Sequence, residues 1–310
     1  MLWAPSPDDV RVVTNGGIVG TSNPGTSVPD GASVNTYGTV TELISAANNG
    51  QDSWAIEIMV CNTLNPSALV GEMSLDILVG GATDDVLISS LLIGGAYYGG
   101  SRSYWFPVHI PAGLRIAAQI SAGAAQTTEP RVVVNLYGGG VPPFRVGSRV
   151  TTYGTKVNNS RGVAVTPTAS GGAASVTQIT ASTSEDHFYV MPGFQVSTDT
   201  TISTATFVNV GIGVGAATEE RIGTWWFSKN ASESQSGPWP SWGAFRHIPS
   251  GSRLTILASN GGANDTAHDA LIYAVSKGDT RGNRRALLTE RGHGRHVGTV
   301  DRVRHHQPLR

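Results

Sequence analysis

The groups in this chain that look equipped for chemistry recur in pairs. The segment His109-Ile-Pro-Ala-Gly-Leu-Arg-Ile116 returns as His247-Ile-Pro-Ser-Gly-Ser-Arg-Leu254, a shift of 138 residues. A repeated histidine invites a metal or proton-transfer role, but neither copy has a His-x-His or His-x-x-x-His spacing nearby, and a metal needs several convergent ligands. Pro fixes φ and Gly supplies a left-handed φ, so Pro-x-Gly predicts a tight turn feeding a strand, with the histidine packing or capping at the strand end. The acidic pairs Asp84-Asp85 and Glu219-Glu220 also recur. Neither matches the alternating oxygen spacing that calcium wants, and adjacent carboxylates in a turn cannot face each other across a cleft, so solvated loops are expected. Cys61 is the single cysteine, in the apolar run Ile56-Glu-Ile-Met-Val-Cys61; it can form no intrachain disulfide and is expected to be a buried, inert thiol. Gly-x-Ser-x-Gly and phosphate-binding glycine loops are missing, and glycine pairs such as Gly80-Gly81 and Gly94-Gly95 sit among strands. From the absent motifs the chain is expected not to be an enzyme and to need no cofactor or metal.

Aromatic clustering is the strongest ligand-site signal. Trp225, Trp226, Trp239 and Trp242 fall in one stretch, and Tyr97, Tyr98, Tyr104, Trp105 and Phe106 are read as the equivalent place in the first half. Exposed rings on loops can stack on sugars or anchor a protein neighbour. Core or intersubunit packing is the preferred reading, with contact to a glycan or partner through Trp225, Trp226, Trp239, Trp242, Tyr104 and Trp105 as the sharper one. The C-terminal stretch offers different chemistry. Residues 279–310 carry eight arginines against three acids, whereas residues 1–278 carry 13 basic against 19 acidic side chains. Arg281, Arg284, Arg285, Arg291, Arg295, Arg302 and Arg304 would attract phosphates, but they lack interleaved aromatics. An assembly arm on an acidic neighbouring subunit is favoured over nucleic acid.

The elements that position these groups are strands. Residues 54–60, 74–79, 86–93, 114–120, 131–137, 207–212, 253–257 and 269–275 are short β-branched runs bounded by Gly, Pro or Asn. In Leu114, Ile116, Ala118 and Ile120 the alternation puts one apolar face inward. Helical periodicity is confined to a short stretch near residues 39–47. Beyond the histidine motif, Arg11-Val-Val-Thr14 matches Arg149-Val-Thr-Thr152 at a shift of 138, Thr41-Glu-Leu-Ile44 matches Thr177-Gln-Ile-Thr180 at 136, and Asp84-Asp85 matches Glu219-Glu220 at 135. Near-constant shifts mean duplication of one domain. The expected fold is therefore all-β: two tandem jelly-roll-like β-sandwiches from an internal duplication, plus an extended basic C-terminal arm. Its parts are an N-terminal extension 1–9, sandwich 10–138, linker 139–147, sandwich 148–276 and arm 277–310. The first residues lack a charged n-region and an apolar h-region, so no secretory leader is expected, and no stretch has the length of a membrane helix.

The run of Thr-Glu-Leu-Ile at 41–44, Gly-Gly-Ala-Thr-Asp-Asp at 80–85 before an Ile/Leu-rich strand, and Phe-Pro-Val-His-Ile-Pro-Ala-Gly-Leu-Arg-Ile-Ala at 106–117 resembles β-sandwich modules of virion proteins of tailed bacteriophages. That resemblance spans residues 10–276 and rests on structural motifs. It implies a structural virion protein, a tail or fibre component made in the host cytoplasm. Such a protein would assemble as a symmetric homo-oligomer, a trimer or hexamer, with other virion proteins and a host-surface glycan as further contacts and no membrane insertion. A capsid decoration, spike or jelly-roll shell protein and a carbohydrate-binding module are the alternatives.

Overall fold

The computed structural model describes residues 10–16, 25–61, 73–80, 83–93, 101–123, 130–155, 162–196, 206–215, 219–230, 233–236, 242–262 and 268–276. The N-terminal extension 1–9 and the arm 277–310, with all seven of its named arginines, lie outside the described residues, as do Tyr97, Tyr98 and Trp239 and the side chain of Cys61.

The described residues are all-β. The first half contains β1 (Arg11–Thr14), β2 (Thr26–Ser27), β3 (Thr41–Ile44), β4 (Ser53–Cys61), β5 (Met73–Gly80), β6 (Asp84–Leu92), β7 (Ser101–Phe106), β8 (Arg115–Ala122) and β9 (Arg131–Gly138). The second contains β10 (Val150–Tyr153), β11 (Val163–Val165), β12 (Ser175–Thr180), β13 (His187–Val196), β14 (Thr206–Val214), β15 (Glu220–Asn230), β16 (Glu233–Ser236), β17 (Ala244–Ile248), β18 (Leu254–Asn260) and β19 (His268–Ser276). The stretch with helical periodicity near 39–47 contains β3 followed by a turn. Its pairing with β8 supplies the partners that a four-residue propensity cannot outweigh.

Sheet A runs β1-β9-β4-β7 with β2 beside β9, and sheet B runs β3-β8-β5-β6. In the second half sheet C runs β10-β19-β13-β17 with β11 beside β19, and sheet D runs β12-β18-β14-β15-β16. The two connectivities are the same apart from β16, and the pairing agrees residue by residue. Arg11 faces Gly138, and one residue further into the second copy Val150 faces Val275. Thr41 faces Ala118 as Thr177 faces Ile256, each strand then breaking register two residues on. Ser53 and His187 each precede a bulge, at Trp54 and Phe188. The sequence shifts of 138 and 136 are therefore the shifts of the sheets. The fold is a tandem pair of jelly-roll-like β-sandwiches.

The Pro-x-Gly turns form as expected: Gly113 and Gly251 have φ of 76° and 82°. Each is tied to the preceding loop in the same way. Gly113 N–H donates to Asn49 O at 2.6 Å, and Gly251 N–H to Thr183 O at 2.8 Å. Asp52 and Asp186 accept from the N–H groups of Ala112 and Ser250, both at 2.8 Å.

Each inner face is apolar, but the first sandwich is not closed by its own strands. Its core cluster takes in Val150, Phe188, Tyr189, Met191, Leu271, Tyr273 and Val275 from the second half. These residues stand on the outer face of sheet C. They seal the side of the first sandwich where β6 and β7 are both edge strands. Edge strands present unpaired N–H and C=O groups, and here side chains take the place of a neighbouring strand. The Tyr273 hydroxyl donates to Ser90 O at 3.0 Å and accepts from Leu92 N–H at 2.9 Å. Tyr189 donates to Trp105 O at 2.6 Å, Thr152 to Ser89 O at 2.8 Å, and Arg102 bridges Leu92 O at 3.2 Å and Phe194 O at 2.6 Å. Tyr104 adds a donor to Leu92 O. Gly193 permits this arrangement, because a Cβ there would lie 2.4 Å from the Tyr273 hydroxyl. Burial pushes the Tyr273 phenol well above its ordinary range, which keeps its proton available to donate.

β6 is bulged at Ser89-Ser90, and Ser90 carries φ 56°. Asp76, 5% exposed, accepts the Ser90 N–H at 2.7 Å and bonds Tyr37 and Gln119, both at 3.1 Å. Tyr273→Phe leaves Leu92 N–H and Ser90 C=O without that partner, which costs about 2–4 kcal/mol of stability in denaturant unfolding; an unchanged midpoint would mean that the seal does not depend on this hydroxyl. A second outcome concerns pH. His187 is buried beside Tyr153, whose hydroxyl is 2.8 Å from its Nε2, and burial lowers its pKa despite the opposing charges of Glu185 and Asp186. A lowered folded value means stability held above the unfolded pKa of about 6.5 and lost as pH falls through that region. Melting curves between neutral and mildly acid pH should show this loss, and it should shrink in His187→Gln.

Candidate functional site

The residues with functional chemistry lie on the outer face of sheet A and where the two sandwiches meet. In β4 the even residues Ile56, Ile58 and Val60 point into the core, so Glu57 and Met59 point outward. Glu57 faces Asn135 on β9 and Trp105 on β7. Its Oε2 accepts from the Tyr137 hydroxyl at 2.6 Å and from Asn135 Nδ2 at 2.9 Å, and its Oε1 has the Ser103 hydroxyl at 3.4 Å. Burial and the Glu57 carboxylate together raise the Tyr137 pKa, so this phenol remains a donor. Aromatic rings continue from here. Tyr137 stacks on Trp54 at 6.0 Å, Trp54 meets Phe144 edge-on at 5.2 Å, and Phe144 meets Trp105 at 4.9 Å. Phe144 comes from the linker between the sandwiches, whose path is fixed by Trp54 Nε1 donating to Gly139 O at 2.9 Å and by the exchange of Gly147 with Pro107 and His109, each at 2.8 Å.

The aromatic residues picked from sequence divide by strand alternation rather than forming one exposed cluster. Tyr104 and Trp105 are 4% and 6% exposed and Trp225 is 7% exposed, so these three pack inside, and the sharper reading of open faces for a glycan does not apply to them. They are strand residues whose rings turn into the core or the seam, Tyr104 and Trp105 on β7 and Trp225 on β15. Trp226, next along β15, points outward and is 58% exposed. The two aromatic groups are also not equivalent places. The counterpart of β7 is β17, so Tyr104 corresponds to Trp242, whereas Trp225-Trp226 lie on the counterpart of β6. Trp242 is 45% exposed, stacks on Trp105 at 5.1 Å, and is held by Trp225 Nε1 donating to its carbonyl at 2.6 Å. Phe245, half exposed, lies against Trp105, Phe144, Phe188 and Tyr189.

Of the acidic pairs, only the second member of each is solvated as expected. Asp84 pairs with Arg115, and Glu219 with Arg253 at 3.0 Å, so the arginine of the histidine motif and the first acid of the pair form one duplicated ion pair. The histidines stay apart from any cluster. His109 is held through its N–H to Gly147 O, and His247 lies exposed, 3.7 Å from Asp186. Among the described residues no group of three or more His, Cys, Asp or Glu could hold a metal ion. Among the described residues no helix is long and apolar enough to cross a membrane.

No family model and no curated protein matches the chain. Solved structures do. PNGF-II is 7% identical with a TM-score of 0.34, over 87% of this chain and 66% of that one, so the chain spans just under two thirds of PNGF-II. PNGase F, a glycosylasparaginase from Flavobacterium meningosepticum, is 11% identical with a TM-score of 0.31, over 87% of this chain and 96% of that one. Infectious bursal disease virus, Gx strain, is 11% identical with a TM-score of 0.24, over 87% and 72%. The appearance of amidase structures among these likenesses overturns the expectation that the chain is not an enzyme: missing motifs are no ground for it, because nucleophile and phosphate-loop signatures cover only some reaction classes. At this identity and TM-score the likenesses transfer no activity to the present residues.

The division of the tryptophans has a measurable consequence. Trp225→Phe removes the indole N–H that holds the Trp242 carbonyl and should cost about 1–2 kcal/mol in unfolding experiments, whereas Trp226→Ser should stay within about 0.5 kcal/mol of the parent. Equal effects would show that β15 does not alternate as described.

Proposed function

We propose that this protein is a structural component of a tailed-bacteriophage particle, in the tail or fibre, and works as a symmetric oligomer. The observation that carries the reading is the outer face of sheet D. Phe207 and Val176 are 60% and 49% exposed there, and Trp226 joins them across β14 and β15. Between them lie Asn209, Gly211, Thr224, Leu257 and Ser259, with the Arg221 side chain over Gly211, so this face is sparsely charged. Exposed apolar side chains on a sparsely charged face suit association, because little charge has to be desolvated when the face is covered. The resemblance of residues 10–276 to phage virion modules supports the same reading. In it, residues 279–310 are an assembly arm, their arginines meeting an acidic surface of a neighbouring subunit.

Contact with a host-surface glycan is a second reading, favoured by Trp242. Its ring is half exposed and backed by Trp105, as a platform for a sugar ring requires. A glycan array with the wild type and Trp242→Ala tests it; a blank array for the wild type removes it.

For the structural role, the expected outcome is oligomer formation in sedimentation and particle imaging. Deleting residues 279–310 should leave a folded, soluble body that does not assemble, and Trp226→Lys should weaken the oligomer. Normal assembly of the truncation would refute the arm, and a monomeric full-length chain at high concentration would refute the oligomeric reading.

A further inference from the structure

The duplication leaves one seat open. In the second sandwich the outer face of sheet C is covered by the edges of β6 and β7, and the residues used are Met191, Tyr273, Tyr189 and Val275, all buried. The same positions in sheet A, matched by the shared register, are Glu57, Asn135, Ala55 and Tyr137. Glu57, Asn135 and Tyr137 are only partly buried, and here an apolar docking face has become a carboxylate held by two short hydrogen bonds.

The donors around Glu57 are largely committed to it. Tyr137 and Ser103 each give their single hydroxyl proton, and Asn135 gives one of its two N–H bonds. What remains toward a ligand is mostly acceptor: the weakly engaged Oε1, the oxygens of Asn135, Tyr137 and Ser103, and the negative charge. Among the described residues no Lys, Arg or His forms an ion pair with Glu57. Tyr137, Trp54, Phe144 and Trp105 form a connected row of rings beside it. A partly desolvated carboxylate beside aromatic rings is complementary to a planar cation, because guanidinium offers forked N–H donors to the carboxylate and stacks on rings.

We propose that the outer face of sheet A is a binding site for an arginine side chain of a protein partner, with Glu57 pairing the guanidinium and the Tyr137–Trp54–Phe144–Trp105 row flanking it. A polyol would satisfy the acceptors but leave the charge uncompensated.

The test uses the full chain and three probes: N-acetyl-arginine methylamide, its citrulline counterpart, and methyl α-glucopyranoside. Binding is read from the indole resonances of Trp54 and Trp105. The arginine probe should bind saturably, at least about tenfold tighter than citrulline, with the preference falling as salt rises. Glu57→Gln should abolish that preference while retaining the wild-type circular dichroism, and Trp226→Ser, on a different sheet face, should keep it. Should Glu57→Gln fail to fold, Glu57→Asp gives the same reading, since a retained charge on a shorter stem should weaken the preference without removing it. Equal binding of arginine and citrulline, an unaltered preference in Glu57→Gln, saturable binding of the glycoside instead, or no binding by any probe would each overturn the proposal.

Discussion

The free edges of β6 and β7 cannot be left bare, and the way they are satisfied fixes how the two sandwiches sit. A jelly roll built from one copy of this module has an open side, where the last strands of both sheets offer unpaired backbone groups to water. Here Tyr273, Tyr189 and Thr152 reach those groups, and Arg102 and Tyr104 join them from within the first sandwich. Leu92 is bonded at both its N–H and its C=O by side chains. Phenols suit the task because each combines a ring that fills the core with a hydroxyl at its tip. Tyr273 meets Tyr104 and Phe106 edge-on at 5.7 and 5.9 Å while its oxygen serves β6. The result is that the core of the first sandwich extends onto the outer face of sheet C while the second sandwich keeps a core of its own, and the linker with Phe144 works as packing as well as connection.

The bulge at Ser89-Ser90 belongs to the same device. The second copy pairs Val210 with Trp225 and Ile212 with Gly223, whereas the first pairs Leu75 with Leu91 and Ile77 with Ile88. The extra residue in β6 turns the Ser89 and Ser90 carbonyls toward Thr152 and Tyr273. A residue held at positive φ with its N–H turned away from the ladder needs another partner, which is the work of the buried Asp76. The second sandwich has Gly211 at the position of Asp76, and its β15 edge is paired by β16 instead. Two copies of one module thus solve the same edge problem differently.

The duplication was legible in the sequence because the shared residues are those that geometry dictates. Glycine at positive φ in both Pro-x-Gly turns, and the arginine that pairs the first acid of each acidic pair, keep their spacing for as long as the turn and the ion pair persist. The strands with clear alternation were found within a few residues. β13 was not, since Met191-Pro192-Gly193 breaks a strand pattern. Proline is tolerated there because pairing with β17 ends at Val190, and the glycine because it lies under Tyr273. Glu57 gave no signal of its own. One acid in an apolar strand reads as an outward-facing residue, and only register brings Asn135, Tyr137 and Ser103 to it. The aromatic groups were misaligned for a related reason: similarity of composition is not equivalence of strand.

Edge-on-face packing of this kind is heterologous, and a heterologous contact between identical modules continues indefinitely unless something stops it. This chain carries a stop at each end. Pairing by β16 covers the β15 edge that a third module's sheet would otherwise have to seal. At the other end Glu57 and Asn135 replace Met191 and Tyr273 on the accepting face, and seating a bare strand edge over a carboxylate would bury an unpaired charge at a cost of several kcal/mol. A stop alone, however, needs only a charge pointing into water, such as a lysine or glutamate on a long free stem. Glu57 is instead clamped by Tyr137 and Asn135 and set beside a row of rings, which sacrifices side-chain entropy that an exposed charge would keep. Ordering of that kind is expected where a surface has exchanged a fixed intramolecular neighbour for a partner that comes and goes.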